Sequence, residues 1–306
     1  MVLFRAMTKK TSQPKRPRPA STVILAREHE GEVQVFLLRR SGTSGFFPGN
    51  YVFPGGTIEP EDHNLELWQR NLDMDLSEVS RRLGGGLGVN EALGFGVAAI
   101  RETFEEAGVL LAYRSEGMKD GLEEVCDGRM TIGLSRGWLE ALVRSEGWTL
   151  ALTRLGRWAH WITPELMPYR FDTRFFLVFM PPGQECTPDA RETTHGIWIN
   201  PARGLARNLE GEIPLSPPTL ITLHELLPYR DMEAVEKAVE DRVWGEALLP
   251  RLIPHSQGPV ILEPWDPLYH EEIEIDPKRL VDSILPPGEP FSRVWLHEGI
   301  WKPVGV

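Results

Sequence analysis

Apolar residues recur along the chain with two periods, one typical of strands and one typical of helices. Two β-branched runs, 21–26 and 33–38, flank a polar segment with Gly31 and predict a β-hairpin. Further strands are predicted at 51–53, 157–162, 175–180, 196–199, 260–262 and 292–296, and helices at 65–83, 90–107, 217–227 and 232–247. These elements predict a mixed α/β (α+β) domain over residues 21–230, followed by a C-terminal helix and strand extension over 231–306.

The predicted helix 90–107 has an apolar face and an acidic face. Asn90 suits the N-cap, and Gly108 suits the left-handed position after the last turn. Gly94 and Gly96 each weaken the first turns by about 1 kcal/mol relative to alanine, so a start nearer Val97 is the alternative to a start at Asn90. At 3.6 residues per turn, the face that packs on a core consists of Leu93, Val97, Ile100 and Phe104.

Glu102, Glu105 and Glu106 fall on the opposite, outward face of this helix. Their mutual repulsion, about 0.2–0.5 kcal/mol per pair, would be offset by a divalent cation that prefers oxygen ligands. A solvated acidic surface is the alternative, and for the helix alone it is the more common one. The Gly55-Gly56 pair favours the metal site, because glycines let a ligand approach the backbone closely.

Composition and charge limit the classes of function. The 306 residues are 41% hydrophobic and 25% charged, and we expect no transmembrane helix. The net charge of −11 argues against a nucleic-acid surface, while the distant Cys126 and Cys186 argue against a disulfide framework and for a reducing, cytoplasmic location. The basic, proline-containing residues 1–20 predict a disordered tail, with a targeting peptide as the alternative.

Two segments of the chain resemble the signature of the Nudix hydrolase family. That signature runs glycine, five residues, glutamate, seven residues, and then Arg-Glu-apolar-any-Glu-Glu-any-Gly-apolar. Gly56 opens it here, and Arg101 to Val109 closes it, with Thr103 in an apolar slot. Asp62 stands where glutamate is usual, and 38 residues instead of seven separate it from Arg101.

The interruption itself resembles one Nudix subfamily, that of the peroxisomal coenzyme A diphosphatase. The similar stretches are 52–56, 101–111, 170–176, Trp198 with Pro201, and 215–219. The inserted segment 63–94 can leave the site intact, because loop-closure entropy grows only logarithmically with length. The resemblance implies a Nudix fold, in which a mixed sheet is sandwiched between helices.

The resemblance also implies roles for the residues of the signature. Glu102, Glu105 and Glu106, with the Gly56 carbonyl, would bind Mg²⁺ or Mn²⁺ as metal ligands. Glu102 would orient or deprotonate the attacking water, and Glu105 would share in catalysis. Arg101 would fix a neighbouring carboxylate through a bidentate pair, the alternative being an exposed ion pair of little energy.

Four residues are candidates for binding the substrate. Gly55 and Gly56 allow close approach of a phosphate, and the guanidinium groups of Arg170 and Arg174 suit phosphate oxygens. Structural pairing of the two arginines with nearby acids is an equally good interpretation.

Weaker candidates lie outside the signature. Phe46, Phe47 and Trp161 could stack on a base, with core packing as the alternative. Glu192 is a secondary acidic candidate, with a surface charge as the alternative.

The implied activity is the metal-dependent hydrolysis of a diphosphate bond, first of all in coenzyme A or an acyl-CoA. ADP-ribose, a dinucleotide or a nucleotide sugar is the alternative substrate. A non-catalytic Nudix-fold binding module is the second alternative, against which the three retained glutamates argue. The expected partner is a small-molecule nucleotide, with no nucleic acid or membrane, and a homodimer is left open.

Overall fold

The computed structural model describes residues 15–114, 121–189, 193–271 and 280–305. Thirteen strands occur in these ranges: β1 Arg18–His29, β2 Glu32–Arg40, β3 Tyr51–Val52, β4 Gly55–Thr57, β5 Ala112–Arg114, β6 Trp148–Leu150, β7 Gly156–Ile162, β8 Phe171–Phe179, β9 Thr193–Ile199, β10 Arg251–Ile253, β11 Val260–Leu262, β12 Arg293–His297 and β13 Ile300–Val304. The same ranges contain eight α-helices: α1 Leu65–Trp68, α2 Leu76–Val79, α3 Val89–Ala107, α4 Leu122–Thr131, α5 Trp138–Glu146, α6 Pro201–Leu209, α7 Pro217–Leu226 and α8 Met232–Asp241.

The main sheet has seven strands and mixed direction. Its path is β3-β2-β1-β8-β7, with β4 also beside β1 and β9 also beside β2. β1 runs parallel to β8, whereas its pairings with β2 and β4 are antiparallel, and the predicted hairpin of β1 and β2 is confirmed. β1 begins at Arg18, which pairs with Phe171. For residues 18–20 the predicted disordered tail was therefore wrong, because these residues pair with Phe171, Asp172 and Thr173 of β8.

Both faces of the main sheet are covered, each by its own hydrophobic core. One core joins the sheet to α3 and the inserted segment, and contains Val23, Ile100 and Phe104. The other joins the sheet to α6, α7 and the C-terminal strands, and contains Leu177 and Ile261. The predicted α+β fold, a mixed sheet between helices, is confirmed.

The helix α3, Val89–Ala107, confirms the predicted bounds 90–107 to within one residue. Its N-cap is Gly88, so the prediction of Asn90 as N-cap was wrong, and so was the alternative start nearer Val97. A Cβ on Gly94 would lie 2.6 Å from His63 Nδ1, and one on Gly96 would lie 2.8 Å from the Leu152 side chain. The glycines therefore permit close packing whose contacts outweigh their low helix propensity. Gly108 ends the helix in the left-handed conformation, as predicted.

The inserted segment is not the single helix predicted over 65–83. It contains α1, α2 and a π-helical turn, Ser80–Gly84. Between the helices Leu72 forms a β-bridge with Leu150, and the Asp73 side chain accepts hydrogen bonds from Thr153. These long-range pairings replace the helical hydrogen bonds that the local pattern predicted.

The C-terminal strands β10 to β13 form an antiparallel sheet that packs on the second core. Ile261, Val294 and Trp301 are buried there, and Asn208 Nδ2 on α6 donates to the Trp301 carbonyl at 2.9 Å. The helix predicted over 232–247 ends earlier, at Asp241. The extension thus contributes side chains to the interior of the protein.

Candidate active site

The three glutamates of α3 share one face, but that face is covered. The strand β4 and the 3₁₀ turn Pro60–His63 pack against α3 beside these side chains. Glu106 is only 7% exposed, and the Glu102 side chain is 13% exposed. The alternative of a solvated acidic surface does not hold for Glu102 and Glu106, because β4 and the turn Pro60–His63 cover them, whereas the Glu105 side chain is 30% exposed.

Arg101 ties three carboxylates together. Its Nε and Nη2 donate to the two carboxylate oxygens of Asp62, each at 3.0 Å, and its Nη1 donates to Glu102 at 2.9 Å and to Glu105 at 3.0 Å. Burial acts to lower the pKa of Arg101, but the hydrogen bond to Asp62 and the three negative charges outweigh it and raise the pKa. The expected bidentate pair is present in the structure, and the alternative of an exposed ion pair is not, since Arg101 is buried.

Asp62 holds the Arg101 guanidinium in position. It is buried, and its Oδ2 also accepts the backbone N–H of Glu59 at 2.8 Å. The aspartate in place of the usual glutamate therefore acts as an anchor that orients Arg101 toward Glu102 and Glu105.

Glu102 lies directly against the Gly-Gly turn. A Cβ on Gly56 would lie 2.5 Å from Glu102 Cδ, so only glycine leaves room for this carboxyl group. Burial raises the pKa of Glu102 to about 7, partly opposed by the charge of Arg101. Glu102 is therefore held near the point where it can accept and release a proton at neutral pH.

Glu105 and Glu106 are held by other parts of the chain. Trp138 Nε1 on α5 donates to Glu105 Oε1 at 2.6 Å, and the Gly55 N–H donates to Glu106 Oε2 at 2.8 Å. Burial raises the pKa of Glu105. The helix thus presents carboxylates whose orientation is set by Arg101, Trp138 and the backbone of β4.

These carboxylates fit a hard divalent cation. Among the described residues no group of three acidic, histidine or cysteine side chains is already arranged as a metal site, since Arg101 holds oxygens of both Glu102 and Glu105. The donor set is nevertheless all oxygen, as Mg²⁺ and Mn²⁺ prefer. Burial destabilises the charged form of Glu102, which a cation would stabilise.

A cavity of about 520 Å³ opens in front of the carboxylates. The glutamates, Gly55 and Gly56 form part of its wall, and Arg18 and Arg40 supply positive charge. The remaining wall is largely apolar and includes Phe46, Phe47, Phe53, Trp161, Phe175, Ile221, Pro250 and Ile261. This volume is typical of sites for small organic ligands.

Comparison with known proteins relates this arrangement to one family. The model of the NUDT19 Nudix domain matches residues 3–226. This chain belongs to the NUDT19 Nudix hydrolase family. It is 27% identical to the acyl-coenzyme A diphosphatase NUDT19 of Gallus gallus, over 90% of this chain and 88% of that protein. It is also 27% identical to the acyl-coenzyme A diphosphatase NUDT19 of Xenopus laevis, over 88% of this chain and 82% of that protein.

A solved structure supports the assignment. The crystal structure of a Nudix hydrolase from Alicyclobacillus acidocaldarius is 26% identical and superposes with a TM-score of 0.57, covering 76% of this chain and 99% of that chain. The chain is therefore a Nudix hydrolase, and Nudix hydrolases generally use divalent metal ions.

The interrupted Nudix signature is closed in space. Gly56 and Glu102, 46 positions apart in the sequence, lie in contact, and Asp62 reaches Arg101 across the insertion. The insertion therefore leaves the two halves of the signature together, as loop-closure entropy had led us to expect.

The two arginines predicted to hold a phosphate do not reach the cavity. Arg170 donates to the carbonyls of Thr163 at 3.0 Å and Lys15 at 2.9 Å. Arg174 lies over the rings of Phe95 and Trp244, on the α3 side of the sheet. The pleat of β8 explains this placement, because the cavity is lined by the alternate residues Phe171, Thr173 and Phe175.

Arg18 and Arg40 are the cavity arginines that sequence reasoning missed. The Arg18 guanidinium lies over the Phe171 ring at 5.2 Å, and Arg40 Nε donates to Ser44 Oγ at 3.0 Å. Arg18 was assigned to the basic tail, and Arg40 ends a strand without any accompanying motif. Only the sheet topology brings both to the cavity.

The other candidates have varied positions. Phe46, Phe47 and Trp161 line the cavity, and Cys126 and Cys186 are free thiols. Glu192 lies outside the described residues. Within those residues no single helix is long and apolar enough to cross a membrane; the bent pair Leu76–Gly84 and Val89–Ala107 meets that criterion only when its arms are combined.

Proposed function

We propose that this protein hydrolyses the diphosphate bond of coenzyme A or an acyl-CoA, with Mg²⁺ or Mn²⁺. The observation that carries the proposal is a single cavity that joins clustered carboxylates to a long apolar wall. A nucleotide with an extended, uncharged arm needs both kinds of surface. The names of the Gallus gallus and Xenopus laevis relatives support the same substrate class.

The protein would hold the cation through Glu102, Glu105 and Glu106, with the Gly56 carbonyl as a further donor. When bound, a divalent cation neutralises diphosphate oxygens and lowers the pKa of a coordinated water. Trp138 and Arg101 keep the glutamate side chains in position. Arg101 is thus a positioning residue in this proposal, behind the carboxylates.

Glu102 would act as the general base. Its carboxyl group lies in the cavity wall beside the Gly55-Gly56 turn, where it can take a proton from a water bound in the cavity. The water oxygen forms a bond to one phosphorus, the bridging P–O bond breaks, and the second phosphate departs as a monoester. Glu102 takes the proton of the attacking water, and the products are 3′,5′-ADP and a phosphopantetheine derivative.

Arg18 and Arg40 would bind phosphate oxygens of the substrate. Both line the cavity, and guanidinium groups match phosphate geometry. Arg170 and Arg174 have no part in the proposal, since their side chains are directed elsewhere.

A substrate panel tests this function. Purified protein is incubated with coenzyme A, an acyl-CoA, ADP-ribose, a dinucleotide and a nucleotide sugar, with Mg²⁺ or Mn²⁺ and with EDTA, and products are identified by mass spectrometry. We expect the highest kcat/KM for the coenzyme A compounds and loss of turnover in EDTA. Rapid hydrolysis of ADP-ribose without turnover of coenzyme A would show that coenzyme A is not the substrate. Inactivity on all five compounds would favour a non-catalytic binding module.

A further inference from the structure

Glu263 is a buried carboxyl group in the cavity wall that the proposed reaction does not use. It follows β11 in the C-terminal sheet and lines the cavity together with Pro250 and Ile261. Its residue exposure is zero, and within the described parts of the chain neither carboxyl oxygen has a hydrogen-bond partner. A buried polar group without a hydrogen-bond partner lowers the stability of the folded state, so such groups are rare unless a ligand or a water molecule bonds to them.

In the described part of the chain, the groups next to Glu263 in the C-terminal sheet donate hydrogen bonds to Asp266. Arg293 donates through Nε and Nη2 to Asp266, at 2.7 and 3.1 Å, and Ser292 Oγ donates to the same carboxylate at 2.6 Å. Burial, together with the charge of Asp266, raises the pKa of Glu263 well above its usual value. The protonated form of Glu263 is therefore favoured, and it has one O–H donor and one carbonyl acceptor.

The cavity wall to which Glu263 belongs indicates which ligand group it would take. Ile261 and Pro250 from the C-terminal segment and Trp161 from β7 line the same cavity and are apolar or aromatic. A ligand cation would need a charged partner, whereas an uncharged amide needs only a donor for its carbonyl and an acceptor nearby. The arm of coenzyme A beyond the diphosphate contains such amides.

We propose that Glu263 is a substrate-recognition residue, whose carboxyl O–H donates to an amide carbonyl of the pantetheine arm in the apolar part of the cavity. The C-terminal extension would then be part of the substrate site and would favour nucleotides with an amide-containing arm. This proposal rests on the function proposed above, and it adds a residue outside the segment matched by the Nudix family model.

Two substitutions separate recognition from a structural role. Glu263→Leu removes both hydrogen-bonding groups, and Glu263→Gln keeps a donor at the same place. We expect KM for coenzyme A to rise about tenfold in Glu263→Leu, the effect of one to two lost hydrogen bonds, with kcat little changed. Glu263→Gln should stay within about threefold of the wild type. Hydrolysis of ADP-ribose, which lacks the arm, should be equally slow or fast in all three proteins.

Direct binding provides a readout that does not depend on hydrolysis. Pantetheine is titrated calorimetrically into wild-type protein and both variants in EDTA, after circular dichroism and thermal melting have shown that each is folded. Weaker binding to Glu263→Leu, with binding to Glu263→Gln retained, would support the assignment. Equal binding to all three, or equal loss of turnover on both substrates, would overturn it. If the wild type binds pantetheine without hydrolysing coenzyme A, the proposed function fails instead.

Discussion

Glu102 and Glu263 are buried carboxyl groups in the wall of one cavity, but their surroundings differ. Glu102 accepts a hydrogen bond from Arg101, whose positive charge opposes the effect of burial and leaves the pKa at about 7. Among the residues that the structure describes, Glu263 has no such partner, and Arg293 donates to Asp266. Burial alone therefore does not decide what a carboxyl group can do. A compensating cation keeps proton transfer within reach of neutral pH, whereas its absence leaves a neutral hydrogen-bonding group.

The largest effect is expected from Glu102→Gln. Loss of the general base should lower kcat for the diphosphate substrate by about 10²–10⁴-fold, with the far-ultraviolet circular dichroism unchanged. Glu91→Gln, in the first turn of the same helix and outside the cavity wall, is the matched control and should retain activity. Wild-type turnover by the Glu102 variant would show that Glu102 is not the general base, and its role would then not differ from that of Glu263 in this respect.

The charge compensation of Glu102 can be removed with Arg101→Met. This change leaves Asp62, Glu102 and Glu105 without their shared cation, and should lower the free energy of unfolding by about 3–5 kcal/mol, as when one partner of a buried ion pair is lost. Urea denaturation measures it. Arg81→Met, which removes an exposed pair with Glu78, should change stability little. Equal effects of the two substitutions would show that Arg101 does not provide this compensation.

Gly56→Ala tests the space that Glu102 occupies. The added methyl group would lie 2.5 Å from Glu102 Cδ and must displace the carboxyl group. We expect kcat to fall by about 100-fold, as a small misplacement of a catalytic group can cause, and stability to fall by about 1–3 kcal/mol. Gly42→Ala is the control, because nothing lies within 4 Å of its added Cβ. An active Gly56 variant would mean that Glu102 tolerates a different position.

The smallest effect is expected in the pH dependence of Glu263→Gln. The folded-state pKa of Glu263 lies well above the usual 4.5, so the unfolded chain releases this proton first as the pH rises. Protonated Glu263 therefore makes its full contribution to the free energy of unfolding below about pH 4.5, and this contribution is lost as the pH rises toward the folded-state pKa. Glutamine does not titrate, so the variant has no such loss. Relative to the wild type, the variant should therefore gain stability as the pH rises above about 4.5.

Urea denaturation across this pH range measures the difference between the two proteins. Glu236→Gln, an exposed position on α8, is the control for a general effect of charge. A difference that stays constant with pH would contradict the uncharged state of Glu263.

The local features of the reactive helix were readable from the sequence. The shared face of Glu102, Glu105 and Glu106 follows from the helical period, and the end of the helix at Gly108 follows from the left-handed preference of glycine. The pairing of Arg101 with a carboxylate followed from the Nudix signature. These features depend on neighbours within a few residues, which the sequence order specifies directly.

Errors arose wherever a distant contact outweighed a local preference. Gly94 and Gly96 suggested the alternative of a late start of α3, but they allow His63 and Leu152 to pack close to the helix. The single helix predicted over 65–83 is interrupted where Leu72 pairs with Leu150. Arg174 matched a phosphate-binding residue by type, yet the pleat of β8 directs it away from the cavity.

The order of residues alone determined that this chain has a Nudix signature with its glutamates on one helical face, because helical geometry converts spacing into direction. The tertiary structure decided that this face lines a cavity, that Arg18 and Arg40 rather than Arg170 and Arg174 lie in its wall, and that Glu263 belongs to the same wall. The physical reason is that burial, electrostatic compensation and access to a cavity depend on which distant segments meet. The spacing of residues along the chain does not show which distant segments meet.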